Sequence, residues 1–257
     1  MTETATIPVH MQRDHFDPAA ELLRLRAEAP LARTEISVGQ VPMPAWLVTR
    51  YQDIRTVLGD SSRFSNSGRS LFDRAAEAAP EVKELIPGER QGMLLAYDPP
   101  DHTRLRRMLT GQFTVHRMNQ LRPRVAAIVE EHLDAMERQG RERPGEPVDL
   151  MQAFALPVPS LVICELLGVP YADRADFQRR SSVQIDLSLS FAERMTAAAQ
   201  AHEYMATLVD AQRRDPGDNL IGLLVREHGD AIENDELVGV ASLLLIAGHE
   251  TTASMIG

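Results

Sequence analysis

Cysteine is almost missing from this 257-residue sequence: Cys164 is the only one. No disulfide framework can form, and the composition fits a reducing compartment. Cys164 sits in "LVICELLGVP", where a small buried hydrophobe is expected rather than a nucleophile or ligand. The N-terminal stretch "MTETATIPVHMQRDHFDP" has no apolar run after a basic start, so no secretory signal is read there. Nor is any run of the roughly 20 apolar residues needed to span a bilayer, and a cytoplasmic protein without a membrane anchor is expected. A basic excess is lacking too. The 27 basic and 37 acidic residues leave a net charge of -10, which argues against nucleic acid as the main partner because phosphate binding wants a basic face. There is no glycine-rich phosphate loop, internal repeat or low-complexity segment.

What remains is a chain long enough to bury a substantial core. "DPAAELLRLRAEAP" predicts a short amphipathic helix, with Pro18 in its first turn, Leu22, Leu23 and Leu25 on its apolar side and Pro30 beyond its end. "ARTEISV" and "AWLVTR" alternate as two strands around a turn at "GQVPMP". "RYQDIRTVLGD" returns to helical spacing, with Ile54, Val57 and Leu58 on one side. Residues 61–97 are irregular, with room for a short helix in "DRAAEAAPEVKELI" broken by Pro80. From Pro99 onward the pattern predicts helices near 100–111, 115–139, 150–168, 172–186, 190–214, 218–228 and 235–257. The expected fold class is mainly α with a small N-terminal β element, in a single domain over 1–257.

The closing stretch "LLLIAGHETTASMIG" interrupts an apolar helix with Gly248, His249, Glu250, Thr251 and Thr252. Asn234 is the expected cap of that helix, with Asp235 and Glu236 favouring its positive end. Leu243, Ala247 and Thr251, spaced four apart, share a face, and Gly248 lies beside it. The Thr251 hydroxyl is placed to bond back to the Ala247 carbonyl. "HETTA" begins like the zinc-protease pattern H-E-x-x-H, but the second histidine position is Ala253, which excludes that reading. Taken alone, the notch fits either a packed helix that tolerates a glycine or a helix passing over a flat ligand.

A second stretch, "DPPDHTRLRRMLTGQF", reads as a helix capped by Asp98 with prolines in its first turn. Leu105, Met108 and Leu109 form its buried side. His102 and Arg106 flank that side four apart, and Arg104 and Arg107 are expected to point to water. His102 and Arg106 can hold an anion at the core's edge, since arginine binds carboxylates in a two-pronged fork. A solvated basic helix fits the same spacing.

The two stretches together resemble a soluble, bacterial-type cytochrome P-450, a haem-thiolate monooxygenase. "AGHETT" matches that family's A-G-x-[DE]-T-T pattern in its long central helix, and "DPPDHTRLRRMLTGQFT" its D-P-P-x-H-x-x-x-R helix. "FDPAAELLRLRAEAP", "WLVTRYQDIRTVLGDSSRFSN" and "PVPSLVICELLGVP" are similar to its early segments, so the likeness covers nearly the whole chain. The resemblance implies haem b, with His102 and Arg106 clamping its propionates and Phe113 near the ring. It implies that Ala247 and Gly248 leave room for dioxygen, that Thr251 steadies it together with a water, and that Glu250 relays protons. Leu94, Leu95, Leu243 and Ala247 would face substrate or haem. The substrate would be an apolar small molecule, and electrons would come from NAD(P)H through a ferredoxin-type partner docked at Arg104 and Arg107.

The family's axial cysteine, in an F-x-x-G-x-x-x-C-x-G loop, and its E-x-x-R helix are not present; "ELLR" at Glu21 to Arg24 lies at the wrong end. The resemblance therefore predicts an N-terminal portion ending within the central helix, incomplete at the C-terminus and inactive by itself. The alternative is a non-catalytic helical binding or regulatory protein that retains half of the fold.

Overall fold

The computed structural model describes residues 9–38, 41–67, 73–74, 77, 91–185 and 189–257. The chain divides into two compact units, Met1–Ile86 and Pro87–Gly257. The helix expected in "DRAAEAAPEVKELI" lies for the most part outside the described residues.

The first unit opens with a small antiparallel pair, β1 (Arg13–Asp14) and β2 (Asp17–Pro18). Pro18 therefore ends a strand and does not start the helix. Helix α1 (Ala20–Glu28) follows, and an antiparallel hairpin joins β3 (Leu31–Val38) to β4 (Val41–Val48). The turn expected at "GQVPMP" is shorter than predicted: β4 runs through Pro42 and Pro44, which pair with Ser37 and Glu35. Among the described residues both strands are edges, so two prolines of the same parity can direct their missing N–H groups outward at no cost to the ladder. Across the hairpin the Arg33 guanidinium lies 5.2 Å from the centre of the Trp46 ring. Helix α2 (Tyr51–Gly59) leaves Leu58 exposed.

The second unit is almost wholly helical. After a 3₁₀ turn at Leu94–Ala96 come α3 (Asp101–Thr110) and the 28-residue α4 (Val115–Glu142). Thr114 caps α4, and Arg143, held out of the α region by the following Pro144, ends it three residues beyond the predicted limit. The single helix predicted over 150–168 is two pieces: a π-helical turn at Met151–Ala155, then α5 (Pro157–Leu167). Pro157 has no N–H to give and its ring crowds the preceding turn, so the ladder widens there and the Leu156 N–H donates to the Met151 carbonyl at 3.0 Å. The remaining helices are α6 (Arg174–Ile185), α7 (Phe191–Arg214), α8 (Leu220–His228) and α9 (Asn234–Ile256). Ser190 and Glu193 form a reciprocal capping box at the start of α7.

One core joins at least five of these helices. Leu105 and Leu109 of α3, Ile163, Cys164 and Leu167 of α5, Met205 and Val209 of α7, Leu224 of α8, and Leu237, Ala241 and Leu245 of α9 belong to a single buried cluster. Helix α9 has 23 residues and, contrary to expectation, is long and apolar enough to cross a membrane by length and composition. Of its apolar window 47% is buried inside the protein, and the helix carries Asp235, Glu236 and His249.

Candidate functional site

Helix α3 starts after Pro100, and the Asp98 carbonyl accepts the His102 N–H at 3.0 Å. The predicted cap is displaced because both prolines stay outside the helix. Leu105 and Leu109 are buried and Met108 packs half-buried against the same core, as the helical wheel predicts. His102 and Arg106 stand on the shoulder of this ridge, the imidazole half-buried and the guanidinium exposed. Neither side chain has a hydrogen-bond or ion-pair partner among the described residues.

Arg104 does not point to water. Its Nη1 donates to Glu236 Oε2 at 3.3 Å and to the Ala231 carbonyl at 3.2 Å, and its Nη2 makes a close ion pair with Glu236 Oε1. The physical reason lies in Glu236, which is only 8% exposed in the first turn of α9 and needs a cation at that depth. Burial pushes the Glu236 carboxyl up, but Arg104 and the Glu233 N–H outweigh it and hold the pKa below the ordinary carboxylate value. That N–H donates to Glu236 Oε2 at 3.1 Å, so Glu233 takes the cap position expected for Asn234. Asn234 instead donates to Asp210 Oδ1 at 3.4 Å.

The turn after α3 is fixed by Glu227 of α8, which accepts from buried Gln112 at 2.7 Å and from Arg117 at 2.9 Å. Phe113, in that turn, is 42% exposed.

On α9, Leu243 is buried while Ala247, Thr251 and Thr252 are exposed. The Thr251 hydroxyl donates to the Ala247 carbonyl at 2.7 Å, as expected. Something does approach Gly248 closely, but it is protein: a Cβ there would overlap the end of Ile163 on α5. The room expected above Gly248 is thus taken on that side, and open surface lies at Ala247 and Thr251. His249 and Ala253 are buried on the other flank. The side chain of Glu250 lies outside the described residues. The structure separates the two leucines before α3: Leu94 packs against the core, and Leu95 is 74% exposed.

Cys164 is fully buried, and burial pushes its thiol up to about 12, so no thiolate is available there. Among the described residues no group of three or more His, Cys, Asp or Glu side chains could hold a metal ion.

Comparison with known proteins decides the family. The model of the family Cytochrome P450 matches residues 36–185. The chain belongs to the cytochrome P450 family. Over its whole length this P450 chain is 45% identical to Cytochrome P450 FAS1 of Rhodococcoides fascians, of which it covers 62%. It is 39% identical, over 94% of its length, to the Vitamin D(3) 25-hydroxylase of Pseudonocardia autotrophica, covering 56% of that protein. Among solved structures, OxyE (CYP165D3), a cytochrome P450 involved in teicoplanin biosynthesis, superposes with a TM-score of 0.77 at 37% identity, over 96% of this chain and 60% of that one. The chain thus spans about three fifths of its relatives' length.

Among the contacts of the P450 chain that its sequence did not reveal are the Arg104–Glu236 pair and the approach of Gln91 and Gly92 to Gly239. A glycine in the interior of an apolar helix was a usable signal at position 239, as it was at 248.

Proposed function

We propose that the protein carrying this chain is a haem-dependent monooxygenase. It would hydroxylate or epoxidise an apolar small molecule in the cytoplasm, using dioxygen and electrons passed from NAD(P)H by a ferredoxin-type partner. Both compact units would belong to one P450 domain. The observation that carries this reading is the pair of donors His102 and Arg106, unengaged among the described residues, beside a buried ridge that shares its core with α9.

A haem has the matching chemistry, an apolar disc with two carboxylates on one edge, and the donor set fits that edge. Cys164 does not fit the role of iron ligand, being enclosed and held as a thiol. When bound, the haem would supply reductive cleavage of dioxygen, with one oxygen atom going to the substrate and the other to water. The chain's own residues do the rest. Arg106 and His102 bind the carboxylates, and the Arg106 guanidinium brings the opposite charge. Thr251, with its proton directed at the Ala247 carbonyl, leaves its oxygen free to accept from a water. The proton relay is assigned to Glu250. Ala247 and Leu95 offer apolar surface, Leu243 backs them from the buried side of α9, and Phe113 lies in the turn after α3. Gly248 contributes by letting α5 close against α9. Arg107 remains an exposed cation for an acidic redox partner, whereas Arg104 is engaged.

The test is haem retention by the intact protein. His102→Ala and Arg106→Ala should each weaken haem binding about tenfold, the scale of one charge-assisted hydrogen bond. Full haem content in the double variant would sink the reading.

A further inference from the structure

Gly239 lies in the second turn of α9, against the segment that leads into α3. A Cβ built on it would overlap the Gln91 carbonyl oxygen and stand 2.9 Å from the Gly92 Cα. Gly92 meets the helix from the other side: its φ is +80°, and a Cβ there would overlap the Glu236 carbonyl oxygen and stand 2.8 Å from the Glu236 Cα. Two backbones touch with no side chain between them, a contact that only glycine permits. The Gly92 N–H donates to the Tyr97 hydroxyl at 3.0 Å, and Tyr97 itself packs against the core. Arg104 fastens the same place from α3 through the Glu236 carboxylate. Between these fixed points runs the 3₁₀ turn Leu94–Ala96, which directs Leu94 to the core and leaves Leu95 exposed.

We propose that Gly239 is a positioning residue for the apolar pocket: it touches no ligand, and by seating Gln91–Gly92 on α9 it fixes where Leu95 stands. The proposal rests on the monooxygenase reading, in which Leu95 lines the pocket. The seat puts Leu95 in register with the helix that carries Ala247 and Thr251. A methyl group at position 239 forces the Gln91 carbonyl off the helix, and the turn bearing Leu95 moves with it.

Two measurements on the intact protein test this. Gly239→Ala should speed hydrogen exchange at amides 92–97 about tenfold, whereas Leu224→Ala, a core truncation in α8, should not do so selectively. The affinities of imidazole and 1-octylimidazole, followed by haem absorbance, form the second readout. The advantage of the octyl tail should fall severalfold in Gly239→Ala while plain imidazole binds as before. Exchange at 92–97 no faster than in the control, or an octyl advantage that survives the substitution, overturns the proposal. An octyl tail that adds nothing in the unsubstituted protein refutes the pocket role of Leu95 and the proposal with it. If Gly239→Ala does not accumulate, Gly92→Ala tests the same seat from the loop side: its methyl group meets the Glu236 carbonyl and its positive φ adds strain, while the sequence of α9 is unchanged. An intact protein without haem would refute the monooxygenase reading, while the exchange comparison would still decide whether the seat holds the turn.

Discussion

Among single residues, Glu236 concentrates the most consequence. Its carboxylate is nearly enclosed, accepts from its own cap, and is tied to Arg104. Replacing Glu236 with Gln should cost about 1–2 kcal/mol in unfolding free energy, discounted because the Arg104 side chain keeps more than a third of its surface in water. The pH dependence has a definite sign. The folded pKa is depressed, so the contribution is fully present above the ordinary carboxylate value and is lost as pH falls through the folded one. Denaturant midpoints measured down through the acid range should show a loss that Glu236→Gln lacks; parallel curves for the two proteins would contradict the assignment. The sequence made His102 and Arg106 legible because a helical wheel locates a shoulder from local spacing alone. It misplaced Arg104 because the partner lies 132 residues away, and no wheel contains it.

Between elements, packing was legible wherever one period governed it. Helices α3, α7, α8 and α9 fall within a few residues of their predicted limits, since apolar spacing and caps act locally. The split before α5 and the extension of β4 through two prolines were not legible. The path of β4 depends on which way a missing N–H faces, which only the pairing with β3 determines, whereas at Pro157 the sequence marks the break but not whether the ladder ends or widens there. The α5–α9 contact yields a prediction of its own. Gly248→Ala forces a methyl group into Ile163 and should destabilise the protein by about 1–3 kcal/mol. Ile163→Val should recover part of that loss in the double variant although it is destabilising alone, a coupling readable from a double-mutant cycle. Strict additivity would mean that the two residues do not share the space.

For the whole molecule, the decisive fact is what a buried thiol does not offer. Expressed by itself, this chain should give no carbon monoxide difference spectrum of thiolate-ligated haem, because Cys164 is enclosed and protonated. Observation of that spectrum would contradict the assignment of Cys164 to the core. The same enclosed sulfur has a practical side. A cysteine introduced at an exposed position such as Leu133 would be the sole accessible site for maleimide chemistry in this chain. Dyes and spin probes could then be attached one per molecule, without first removing any native reactive group.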